Sequence, residues 1–183
     1  MLVTGTNITT VGHYKDAAER HLNICTLLFK QLDYPQNFKH VNKYQNILAE
    51  LYYLSGYIVE CAVNYKYFVS KGFRDYEDYD QRTRWDVGVR IKGHFRFTNN
   101  SVSCQKVLQQ IPSSDLPDYL KNIGGISTIT LIGQELVKEK MQQHWDPSVR
   151  YAYENTGLRF STASIDEIKI YYKAAKDLFN ALT

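Results

Sequence analysis

No stretch of this 183-residue chain approaches the ~18–20 apolar residues that a membrane span needs, so none is expected. The start, MLVTGTNITT, has neither a basic opening nor a long apolar run, and a signal peptide is not indicated. Cysteine is scarce: Cys25, Cys61 and Cys104 are odd in number, far apart and not in metal-ligand spacing. That argues against a disulfide framework and for free, mostly buried thiols in a reducing cytosol, hence a cytoplasmic protein. Neither sign of charge dominates, and a net charge of +3 leaves only local patches to attract a polyanion. The five histidines, His13, His21, His40, His94 and His144, are scattered. The acidic run DYEDYD lacks the Gly and terminal Glu of a calcium loop. GGIST is no full phosphate loop, and no Ser nucleophile elbow occurs. No metal and no cofactor are therefore expected.

What remains is helical pattern. The size fits one domain over 1–183 with a substantial core. From Tyr14 to about Asp33, residues Ala18, Leu22, Cys25, Leu28, Phe29 and Leu32 fall on one stripe of a helix, which YPQN then breaks. A second helix is expected from about Val41 to Lys71. Leu48, Leu51, Tyr52, Ser55, Val59, Ala62, Tyr65 and Val69 recur along it at three- and four-residue steps, and Gly72 ends it. Shorter helices are expected from Ser101 to Gln110 and, for a turn or two, within DLPDYLKNI. Another should run from about Ile129 to Gln143, capped by Ser127 or Thr128. A last one covers Ile165 to Leu182, with Ser164 and Glu167 as a capping box. The fold class is all-α, an antiparallel bundle of four to five helices.

One stretch stands apart. In VGVRIKGHFRF, Val87, Val89, Ile91, Phe95 and Phe97 alternate with Arg90, Lys92, His94 and Arg96. The alternation predicts a small strand-like insertion over 87–97 with a basic outer face. Such a face can meet the phosphates of a single strand, with Trp85 and Tyr79 near enough in sequence to stack on bases. It equally suits an edge strand that charge keeps from aggregating.

The second helix also carries chemistry. In YYLSGYIVECAVNYKYF, Gly56 and Glu60 stand four apart, on one face of an otherwise apolar helix. A helical Gly costs ~1 kcal/mol against Ala, so close packing is the expected reason for it. A carboxylate among Ile58, Val59, Cys61, Ala62 and Val63 needs a donor or a cation. The candidates are Arg90, His94 and Arg150. Glu60, His94, Arg150 and Tyr151 are expected to form either a buried polar network or a pocket for a nucleotide phosphate. His144 and Trp145 lie nearby in sequence and flank such a pocket, although Trp145 fits the core better.

The stretch SGYIVEC, Ser55 to Cys61, resembles the small residue–aromatic–x–x–Glu pattern on the second helix of the HEPN family. DAAERHLNICTLLF is similar to that family's first helix, KGHFRF to the segment that opens its third, and VRYAYE to the Arg-Tyr before its last helix. IDEIKIYYKAAKDLFNAL is similar to that last helix, so the likeness spans most of the chain in order. It implies a helical domain that dimerises, handles nucleotides or RNA, and pairs with a nucleotidyltransferase. Some members are toxin-like ribonucleases of toxin–antitoxin pairs. Those nucleases carry an Arg followed by His after four to six residues. Here Arg90 and His94 are one residue short, and Asn155 follows Arg150 where the His would stand. Asn64 also replaces the family's Lys four positions after the Glu.

Two functions are consistent with these residues. The first is a non-catalytic HEPN-like module, binding nucleotide, single-stranded RNA or a nucleotidyltransferase-like partner through Arg90, Lys92, Arg96 and Arg150, as a homodimer. The second is a metal-independent ribonuclease in which His94 is the acid–base group and Arg90 or Arg150 the cation. A purely structural interaction domain is a third. Fifteen tyrosines suit an interface, and a bias toward Tyr, Asn, Ile and Lys explains them equally well.

Overall fold

The computed structural model describes residues 10–32, 41–77, 102–146 and 164–183. Among these the structure is all-α, with six helices and no strand. We number them α1 (Gly12–Gln31), α2 (Val41–Ser70), α3 (Val102–Leu108), α4 (Asp118–Ile123), α5 (Gln134–His144) and α6 (Ile165–Leu182). A 3-10 turn, Ser113–Asp115, joins α3 to α4.

α1 and α2 form an antiparallel pair. Tyr14 stacks on Phe68 at 5.9 Å, and further along His21 meets Tyr57 at 5.6 Å. α6 lies antiparallel to α1. The Thr26 and Tyr172 hydroxyls are 3.0 Å apart, and Lys15 Nζ donates to the Thr183 carbonyl at the far end. α6 also packs on α2, where the Tyr52 and Tyr171 rings are 5.5 Å apart. α5 closes the remaining side: the Tyr52 hydroxyl donates to the Met141 carbonyl at 2.8 Å, and Lys140 bridges to Glu167. The stripes expected from spacing are largely the buried ones, with Leu28 and Phe29 of the first only partly buried. Ala18, Leu22, Cys25 and Leu32 face inward on α1, as do Leu48, Leu51, Tyr52, Ser55, Val59, Ala62 and Tyr65 on α2. Val69, the last of that stripe, is instead partly exposed. Each fully buried aliphatic side chain contributes about 1.5–3 kcal/mol against its exposed state.

The helix ends reflect local chemistry. Gly72 takes φ +79°, so its N–H reaches the Val69 carbonyl and that of Phe73 reaches Phe68. This pairing satisfies the last carbonyls of α2, and the Phe68 and Phe73 rings close over it at 5.4 Å. The Ser164–Glu167 capping box is present: Ser164 N–H donates to Glu167 Oε2 at 2.6 Å, and Glu167 N–H to Ser164 Oγ at 3.2 Å. α1 begins without a side-chain cap. Its first amides instead reach across to the segment after α2, Gly12 to the Asp75 carbonyl and Val11 to that of Glu77.

The largest departure from the expected boundaries is at α5. α5 starts at Gln134 rather than Ile129, and neither Ser127 nor Thr128 caps it. Gly133 precedes it at φ +57°. Thr128, Ile129, Thr130 and Ile132 are β-branched and stiff against a helical turn. The side-chain amide of Asn122 also captures Ile129 from both sides, donating to its carbonyl and accepting from its N–H. The strand-like insertion expected over 87–97 lies outside the described residues.

Candidate functional site

Gly56 is explained by a single neighbour. A Cβ built on it would overlap Nε1, Cε2 and Cδ1 of the Trp145 indole. No side chain larger than hydrogen fits there while Trp145 keeps its place. Trp145 comes directly after α5 and is fully buried. Its Nε1–H donates to the Tyr53 carbonyl at 3.0 Å, and Tyr57 meets the indole edge-on at 5.1 Å. The expected close approach at Gly56 is therefore a seat for an indole. The expectation that Trp145 belongs to the core holds.

One turn beyond Gly56, Glu60 is 6% exposed. It belongs to a set of buried polar residues with Ser55, Asn64 and Gln142. Ser55 Oγ donates to the Leu51 carbonyl and Asn64 Nδ2 to that of Glu60, so both side chains turn back on their own helix. From the opposite wall, the Tyr171 hydroxyl donates to Gln142 Oε1 at 2.7 Å. Burial holds the Tyr171 phenol well above the ordinary tyrosine range, and the nearby Tyr52, Tyr119 and Glu60 push it the same way. Burial raises Tyr52 and Tyr119 likewise. None of these hydroxyls is a ready base at neutral pH.

The cysteines are equally quiet. Burial pushes the thiols of Cys25 and Cys61 up to about 12. Both are free, and a thiol so placed is neither nucleophile nor metal ligand near pH 7. Among the described residues no group of three or more His, Cys, Asp or Glu side chains gathers to hold a metal. No described helix is long and apolar enough to cross a membrane.

Of the residues singled out from sequence, Glu60 is the one within the described set. Arg90, Lys92, His94, Arg96, Arg150 and Tyr151 lie outside it. Of the two flanking residues, Trp145 is buried, while His144 is exposed with Nδ1 2.7 Å from the Lys140 carbonyl. What sequence reasoning missed is the pairing of Gly56 with Trp145. A helical Gly and a core Trp were both visible, but nothing local joins residues 89 positions apart. It also missed Gln142, whose place in a polar, charged helix gives no sign of burial.

Compared with protein-family models, with curated proteins and with solved structures, the chain matches none. Its likeness to HEPN domains therefore rests on the sequence motifs alone.

Proposed function

We propose that this protein is a non-catalytic helical module of HEPN type that works as a dimer and binds single-stranded RNA or a nucleotide, alone or beside a nucleotidyltransferase-like partner. The observation that carries the non-catalytic part is the use made of Ser55–Cys61. Gly56 seats Trp145, Tyr57 abuts the indole, Ser55 bonds its own helix and Glu60 is buried. The stretch with the family's pattern thus spends its side chains on packing. The binding part rests on sequence: Arg90, Lys92 and Arg96 alternate, and Arg150 comes five positions after the anchored Trp145. The broken Arg-to-His spacing speaks against nuclease chemistry, which needs a cation and an imidazole at one phosphate.

The test is a single-stranded RNA binding and cleavage assay in EDTA, with wild type beside a His94→Ala/Arg150→Ala double variant. Salt-sensitive binding without cleavage, weakened in the double variant, is expected. Cleavage by wild type but not by the variant would establish the ribonuclease alternative instead. Absence of both would leave an interaction domain, and sedimentation would then show whether its partner is a second copy.

A further inference from the structure

α6 turns Ile168, Tyr171, Tyr172, Ala175, Leu178 and Leu182 into the core. On its opposite face stand Lys169, Lys173 and Lys176, at steps of four and three. These steps keep them on one stripe. Lys173 and Lys176 are exposed. The ammonium groups of Lys169 and Lys173 lie 5.8 and 6.0 Å from the centroid of one ring, that of Phe29 on α1. Phe29 is itself fixed against Tyr172 at 4.9 Å, and Lys30 is next to it in the last turn of α1.

Lys15 and Lys71 elsewhere each lie over a single tyrosine ring, Tyr65 and Tyr67; here, among the described residues, one ring draws two ammonium groups. Lys66, Lys121, Lys138 and Lys140 each pair with a carboxylate, of Asp115, Asp118, Glu135 and Glu167 in turn. Among the described residues Lys30, Lys173 and Lys176 have no such ion pair. Asp177, four positions after Lys173, is on the same helix and does not bridge to it, and Asp166 lies three before Lys169. Two ammonium groups are thus drawn to one ring despite their mutual repulsion, because the π-face attracts each. The helix rises ~6 Å between Lys169 and Lys173. That is the order of separation of successive phosphates in an extended single strand.

We propose that Lys169 and Lys173, held over Phe29, form with the nearby Lys30 and Lys176 a docking ridge for the phosphate backbone of single-stranded RNA. The proposal deepens the RNA reading above and rests on it. It adds a surface on α1 and α6 that the basic residues of 87–97 do not include. Phe29 acts as a positioning residue, holding two cations over its ring and in line with the third.

The experiment is binding of a fluorescent oligouridine to the full chain across a salt series. Wild type is compared with Lys173→Gln/Lys176→Gln, with Arg90→Gln/Lys92→Gln/Arg96→Gln, and with Lys138→Gln as a lysine already paired. The ridge variant is expected to lose affinity several-fold and to lower the salt slope by about 1.4, for two phosphates no longer neutralised on a single strand. Lys138→Gln should change neither beyond error. An unaltered affinity and slope in the ridge variant, with wild type still binding, would overturn the ridge and leave the RNA reading standing. Loss in the ridge variant with a silent Arg90 variant would establish the ridge and remove 87–97 from the interface. No binding by wild type overturns both. Thermal melts of each variant exclude misfolding, since Lys173 and Lys176 are exposed.

Discussion

Two buried aromatic sites flank the middle of α2, and they treat their polar atoms differently. At one, Trp145 sits on Gly56 and its indole N–H meets the Tyr53 carbonyl. At the other, Tyr171 donates to Gln142, while the hydroxyl of Tyr119 and Nε2 of Gln142 have no hydrogen-bond partner among the described residues. The first site is closed both sterically and in hydrogen bonding. The second is half satisfied, and a buried polar atom without a partner costs about 1–3 kcal/mol. The difference teaches that burial alone does not measure what an aromatic contributes. Its polar handle decides the sign of a small change.

The steric site should give the largest effect. Gly56→Ala places a methyl inside the indole and is expected to cost about 3 kcal/mol or more, at the upper end of overpacking. Urea unfolding measures it. Adding Trp145→Leu should recover part of the loss, since it removes the clashing atoms; additive losses would mean that the two residues do not touch. Next comes Tyr171→Phe, which deprives Gln142 Oε1 of its donor. A loss of about 1–2 kcal/mol is expected from the same measurement. Ser164→Ala removes one half of the α6 capping box and should cost about 1 kcal/mol.

The sharpest test of the comparison is Tyr119→Phe. It deletes a hydroxyl that bonds nothing among the described residues, so stability should stay within about 0.5 kcal/mol or rise. A loss as large as that of Tyr171→Phe would mean that Tyr119 is bonded, for example through an internal water, and the two sites would no longer differ.

A pH titration probes a third buried polar atom. Burial, and then the charge of Arg20, hold the His21 imidazole below its ordinary value of 6.5. A lowered pKa means that the unfolded chain binds the proton more tightly. The stability from neutral His21 is complete above pH 6.5 and declines as pH falls through that value toward the folded pKa. His21→Phe should flatten the dependence of urea midpoints on pH between about 7 and 5; an unchanged slope would show that His21 does not carry it.

Most of this architecture was legible where a local signal sufficed. The capping box of α6, the glycine stop of α2 and the inward stripes of α1 and α2 depend on residues within a few positions of one another. The start of α5 was not legible in the same way. Ser127 and Thr128 look like helix caps, yet the Asn122 amide takes hold of Ile129 and the helix waits for Gly133. The partner of Gly56 was hidden for a related reason, because it comes from a distant part of the chain. In the candidate site, Glu60 could be marked as a buried acid from its apolar neighbours. The lysine ridge could not be found that way. Lys169, Lys173 and Lys176 read as an ordinary solvated face until Phe29 of another helix is set beneath two of them.

The mutual packing of α1, α2 and α6 also bears on how the chain reaches this state. α1 and α2 are close in sequence, so their pairing closes only a short loop, whereas α6 joins α2 across about a hundred residues. The α1–α2 hairpin should then be the first unit to form, with α6 docking onto it afterwards. Substitutions at the Tyr14–Phe68 stack would slow refolding, and those at the Tyr52–Tyr171 contact would mainly hasten unfolding. By that order, the ridge over Phe29 exists only once the last helix has arrived, and the polyanion affinity proposed for it would report completed folding.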